Sequence, residues 1–152
     1  MQKKYYRDDP CLTGFKELDT VFKPPFLDVG SYITPNKIDK RKILKGEYVG
    51  IDIRQGPGVD CILDIAQNYV KLEHFNTVIC VDTFEHVNKP WLAAKNIEMS
   101  MAKDAQIYFS VPFIWRFHEH PQDYWRMTPT AIKMIFENIE WTKIFYPYYF
   151  NT

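Results

Sequence analysis

The segment RFHEHPQDYWR (116–126) sets two histidines, a glutamate and an aspartate among aromatic residues. His118, His120 and Asp123, with His86 as a fourth donor, are residue types that bind metals. A histidine-x-histidine pair without a complete ligand set falls short of a metal centre, and the expectation is a site that holds no metal. An imidazole with an ordinary pKa also suits proton transfer, which makes His118, then His86, the candidate general bases. Asp123 and Arg126 lie three positions apart and can pair to hold the loop. Tyr124 and Trp125 are read as core or lid aromatics.

Four acids form a second group. Asp28, Asp52, Asp64 and Asp82 each stand at or near the carboxyl end of a short apolar run: FLDVG, YVGIDI, VDCILDI and TVICVD. A single terminal aspartate usually forms a turn or caps a helix. Four in succession along one sheet edge can instead hydrogen-bond hydroxyls or an amino group, or hold a cation. Asp52 is the sharpest candidate, because a carboxylate ending a second strand can accept from both ribose hydroxyls of an adenosine. Its separation from Gly30, 22 residues, is close to the roughly 20 that this geometry requires. The turn DVGSYI has no GxGxxG continuation, and no tyrosine has a lysine four positions later. Both absences argue against a nicotinamide-dependent oxidoreductase.

These residues need a frame, and the chain supplies one. Strands are predicted over 26–30, 48–53, 59–65, 77–82 and 105–111. The first and fourth are apolar without alternation, as befits strands covered on both faces. Asn88 followed by Pro90 predicts a helix start, with Ala94, Ile97 and Met101 on one face. Thr128 and Pro129 predict another, carrying the stripe Ile132, Ile135, Phe136 and Ile139. Residues 11–22 are a weaker helix candidate, and the tail WTKIFYPYYF reads as a strand that Pro147 pushes towards an edge. The expected fold is α/β: a Rossmann-like three-layer sandwich on a mostly parallel sheet, reduced by the lack of a last strand. Such sheets bind ligands at the carboxyl ends of their strands.

Composition bounds the alternatives. With 152 residues, 46% hydrophobic and 25% charged, a single domain with a real core is expected. Nineteen basic and nineteen acidic residues cancel, so neither nucleic acid nor a membrane surface is an expected partner. Cys11, Cys61 and Cys80 are odd in number and contain no CxxC pair, which argues against a disulfide framework or a cysteine zinc site. Cys61 and Cys80 sit in apolar runs and are read as small core residues. No secretory h-region or bilayer-length run is present, so the cytoplasm is the expected compartment.

Taken together, FLDVGS, YVGIDIRQGPGVDCILDIA, FNTVICVDTFEHVNKPWLAAKNI and IYFSVPFIWRFHEHPQDYWRMTP resemble class I S-adenosylmethionine-dependent methyltransferases. They look most like the small type 11 methyltransferase-like group, over about residues 25–137. The resemblance implies a cofactor, S-adenosylmethionine, and methyl transfer to a small-molecule or sugar-type acceptor. Carried over by position, Asp28, Gly30 and Ser31 would line the methionine end. Asp52 would bind the ribose with Ile53 beside the adenine, Asp64 and Ile65 would flank the adenine edge, and Asp82 would close the pocket. Glu85 and His86 would stand at its mouth. His118, His86 and Asp123 are the candidate catalytic set, His118 and Asp123 standing on a loop (112–128) expected to close the acceptor side. Two features depart from the group: SYITPNKIDKRKIL replaces the glycine-rich loop and first helix, and MAKDA replaces the usual PGG turn. The alternative is therefore a methyltransferase-like fold that serves as a non-catalytic binding or assembly module.

Overall fold

The computed structural model describes residues 22–35, 37–119 and 121–144. Five strands, β1 (Phe26–Val29), β2 (Tyr48–Asp52), β3 (Cys61–Ile62), β4 (Phe75–Val81) and β5 (Met101–Ser110), build one sheet. Their order is β3-β2-β1-β4-β5 and every neighbouring pair is parallel. This is the Rossmann-like α/β arrangement that the alternation of elements predicted.

β1 and β4 lie at the centre and are buried on both faces, which is why their sequences carry no alternation. Leu27, Val29, Val78 and Cys80 turn one way and pack with Ala93, Ala94 and Ile97 of helix α1 (Pro90–Ser100). Phe136, at the end of helix α2 (Pro129–Ile135), joins the same core. Each fully buried Leu, Val or Ile of this layer stabilises the fold by about 1.5–3 kcal/mol. Phe26, Ile79 and Val81 turn the other way, onto Leu44. Among the described residues, the connection from β1 to β2 contributes to the cover on this second face and includes a 3₁₀ turn at Lys40–Lys42. Asp39 caps that turn by accepting from the Arg41 amide.

Several boundaries move from their predicted places. Lys89, rather than Asn88, precedes α1 and makes no side-chain cap bond, so Pro90 alone marks the start. Thr128 does cap α2, its hydroxyl oxygen accepting from the Ala131 amide at 3.1 Å. Met101 leaves the helix and opens β5, and Ile139 lies beyond α2 while still packing on the core. The third strand shrinks from 59–65 to two residues. Asp60 accepts from the Gly50 amide and Asp64 from the Ala66 amide, and such side-chain bonds compete with ladder pairing. Cys61 is consequently exposed on this short edge strand, a correction to its reading as core, whereas Cys80 is buried. Residues 11–21 of the candidate helix over 11–22, with Cys11, His120 and the tail beyond Ile144, lie outside the described residues, while 141–144 form coil. No helix among the described residues is long and apolar enough to cross a membrane.

Candidate functional site

The chain leaves β1 and β4 in opposite directions. After β1 it runs to the layer that holds Leu44. After β4 it enters a 3₁₀ turn, Phe84–His86, and Phe84 joins the helix-side core. Adjacent strands whose connections diverge in this way form the topological switch point of a parallel sheet, where ligands bind. Gly30 follows β1 with φ +76°, a left-handed conformation that glycine adopts without cost. A methyl group there would collide with the Thr83 side chain. The Thr83 hydroxyl in turn reaches the carbonyls of Val29 and Val81, at 3.2 and 3.1 Å. The close approach that Gly30 permits is thus made by Thr83, a residue given no role in the sequence analysis. Beside it, Ser31 is buried, and its hydroxyl has no hydrogen-bond partner among the described residues. Asp82 holds φ +47°. It accepts from the Ser110 hydroxyl at 3.0 Å, tying the end of β4 to that of β5.

Asp28 sits inside β1 rather than at its tip, and its side chain points to the second face. It is 3% exposed. Lys40 Nζ donates to both carboxylate oxygens at 2.8 Å and the Tyr48 hydroxyl donates to Oδ2 at 2.6 Å. Burial, reinforced by this carboxylate, pushes the Tyr48 hydroxyl far above its ordinary pKa. The cavity bounded by Asp28, Lys40 and Tyr48 is about 20 Å³, roughly room for one water molecule.

Asp52 is the last residue of β2. Its carboxylate accepts from the Arg54 amide at 2.9 Å, and from Tyr32 N and Arg54 Nε at 3.4 and 3.5 Å. Two of these three contacts are at the limit of hydrogen bonding, so the group keeps capacity for further donors. The Arg54 guanidinium lies 4.4 Å over the Tyr32 ring, and Ile53 presents an apolar surface that is half exposed. Asp64 holds a turn, accepting from Ala66 N and Gln67 Nε2. Ile65 points into the helix-side core, 4% exposed.

On the helix side of the same edge a second group converges. The loop 112–128 is tied down in its middle as well as at its ends. Tyr124 and Trp125 both donate their amides to the Glu85 carbonyl, and the Trp125 indole donates to the Val87 carbonyl at 2.8 Å. A coil this long has many backbone groups to satisfy. Arg126 takes several of them, donating to the carbonyls of Trp115 and Arg116. It also grips Asp123 with two nitrogens, at 2.6 and 2.7 Å. These hydrogen bonds hold the Asp123 carboxyl well below the usual carboxylate range. Asp123 also accepts from the His118 amide, and its Oδ2 lies 3.3 Å from His118 Nδ1. The rings of His118 and His86 meet edge to face, 5.0 Å apart. Glu85, 1% exposed, lies against His86, with Oε1 3.6 Å from Nε2. Burial pushes its carboxyl up to about 8.

The structure therefore brings His118, His86 and Asp123 together, as their types suggested, and adds Glu85. A carboxylate followed by histidine was visible in TFEHV, but nothing in the sequence said that Glu85 points inward. The four aspartates do not form one row. Asp52 and Asp82 stand at the carboxyl edge, Asp28 is buried beneath the sheet, and Asp64 belongs to a turn. Comparison with protein-family models and with curated proteins finds no match to this chain.

Proposed function

We propose that the chain binds S-adenosylmethionine at the switch point and transfers its methyl group to a small-molecule or sugar-type acceptor. The observation that carries this reading is Asp52: a carboxylate with spare acceptor capacity ends the strand beside β1, next to the exposed face of Ile53. That pairing of an acid for ribose hydroxyls with an apolar seat for a base is what an adenosine requires. The cofactor supplies an activated methyl group, so the protein's task is alignment and exclusion of water. An acceptor hydroxyl attacks the methyl carbon, the carbon–sulfur bond breaks, and the hydroxyl proton passes to an imidazole. We assign that role to His118, supported by Asp123 beside its Nδ1 and by Arg126, which grips Asp123. Trp115, Phe117, Tyr124 and Trp125 border an open surface hollow of about 290 Å³ next to it, a fitting seat for a flat or sugar-like acceptor.

A second reading, a non-catalytic binding or assembly module, is favoured by two specific features. Thr83 occupies the space over Gly30, and Asp28 is fully engaged by Lys40 and Tyr48. Calorimetry with S-adenosylhomocysteine separates the two readings. The first expects saturable binding that weakens about 10- to 150-fold in Asp52→Ala, from loss of a charged acceptor worth roughly 1.5–3 kcal/mol. Absence of binding in the wild-type chain supports the module, and unchanged affinity in Asp52→Ala removes β2 from the site.

A further inference from the structure

We propose that Glu85, His86 and His118 form a binding site for a divalent transition-metal ion of the zinc type. Each residue offers one ligand atom, and the three atoms lie within 4.8 Å of one another. Zinc holds nitrogen and oxygen ligands at about 2.0–2.2 Å in a tetrahedron, which places them roughly 3.3–3.6 Å apart. Small side-chain rotations span the difference. Two histidines with one carboxylate form a ligand set that zinc uses with an open fourth position, and that iron(II) also accepts.

Independent observations point to the same ion. Glu85 is 1% exposed, yet its Oε2 has no hydrogen-bond partner among the described residues. A buried carboxylate oxygen left unsatisfied is costly, and a cation bound by this carboxylate would satisfy it, with Oε1 already 3.6 Å from His86 Nε2. Both histidines are also held from behind. His86 Nδ1 meets the Gln122 carbonyl at 2.5 Å, while His118 Nδ1 lies 3.3 Å from the Asp123 carboxylate and 3.2 Å from the Arg116 carbonyl. A metal-bound histidine is usually fixed this way, by a carbonyl or carboxylate on its far nitrogen. Asp123 is held in turn by the Arg126 fork. The ligands come from two segments, the 3₁₀ turn after β4 and the loop after β5. The Tyr124 and Trp125 amides clamp these segments together at the Glu85 carbonyl.

The sequence pattern suggested a different set, His118, His120 and Asp123 with His86, and an expectation of no metal. In the structure Asp123 stands behind His118 and Glu85 takes the carboxylate position. The inference does not rest on methyl transfer. With an ion bound, His118 becomes a ligand, and an oxygen in the open position would be activated by the metal instead of by the imidazole.

The test uses the full chain without a histidine tag, stripped with a chelator and titrated with Zn²⁺ by calorimetry and with Co²⁺ by visible spectroscopy. The expected result is one saturable equivalent and the intense visible bands of four- or five-coordinate Co²⁺. Glu85→Gln and His118→Ala should each weaken binding at least 100-fold. Asp123→Asn, which keeps the shape of the side chain, should weaken it about 10- to 100-fold through loss of the orienting partner. His74→Ala, at a histidine paired with Glu47 elsewhere, should change nothing. Should His118→Ala fail to fold, Glu85→Gln and Asp123→Asn decide the matter. Binding unaltered by these two, or only the pale spectrum of hydrated Co²⁺, overturns the site. S-adenosylhomocysteine titrated into the same stripped protein reports separately on the methyl-transfer reading.

Discussion

Replacing Lys40 with methionine keeps the aliphatic stem and removes only the ammonium that faces Asp28. The carboxylate is then left with one donor, the Tyr48 hydroxyl, in a position 3% exposed. Removing one partner of a buried pair costs about 3–5 kcal/mol. Here the Lys40 side chain retains 16% exposure, so water can take up part of its role, and we expect about 2–3 kcal/mol. Urea denaturation followed by circular dichroism measures this. With a slope of about 1–3 kcal/mol/M for a small protein, the midpoint should fall by roughly 0.7–3 M. The double variant Asp28→Asn/Lys40→Met removes both charges and should recover much of the loss, giving a coupling of at least about 1 kcal/mol. A Lys40→Met midpoint equal to wild type, with additive single effects, refutes the buried-pair argument. If instead Asp28→Asn leaves stability intact and abolishes S-adenosylhomocysteine binding, Asp28 belongs to a ligand site rather than to the second layer.

Gly30→Ala should cost about 2–4 kcal/mol: roughly 1–2 for an alanine held at positive φ and 1–2 for overpacking against Thr83. In a Thr83→Ala background the second part should largely disappear, and equal cost in both backgrounds would show that Thr83 is not the obstacle. Alkaline absorbance titration should find that Tyr48 stays protonated past the ordinary range, a signal lost in Tyr48→Phe. Because its pKa is raised in the folded state, the native chain holds a proton that the unfolded chain releases. Stability is therefore full below about pH 10 and falls as pH rises above it. In Tyr48→Phe this alkaline loss should shrink, and an unchanged pH profile would contradict the assignment.

The sheet was legible because its signal is collective. Phe26–Val29 and Phe75–Val81 are buried on both faces and mostly apolar without alternation, the pattern of a central parallel strand, and the other short runs follow at strand spacing. The acids were harder, since an aspartate at a strand end looks the same whether it meets a ligand, a turn or a lysine. Lys40, which decides the matter for Asp28, lies in a basic run that reads as a solvated face. Its partner becomes visible only once the β1–β2 connection folds back across the sheet. The His118–Asp123–Arg126 group was partly readable from spacing. The inward turn of Glu85 was not, because it depends on the 3₁₀ geometry after β4 and on a carbonyl captured by a loop almost 40 residues later.

One feature of β5 bears on which length changes the chain can accept. The Met101 amide closes α1 onto the Ile97 and Glu98 carbonyls while Met101 itself pairs with Phe75, so helix and strand share a residue and no spacer separates them. Adding one residue beyond the irregular stretch that follows, between Gln106 and Ile107, would invert the rest of the strand and turn Ile107 and Phe109 away from the core. Within that stretch, Phe75 faces Met101 but Thr77 faces Gln106, so two steps along β4 match five along β5. The surplus residues bulge outward around Asp104, whose φ is +61°, and Lys103 and Asp104 are exposed. This bulge is a reservoir of spare length. Insertions or deletions placed within it can be absorbed locally, leaving the carboxyl end of β5 and the Ser110–Asp82 tie in register.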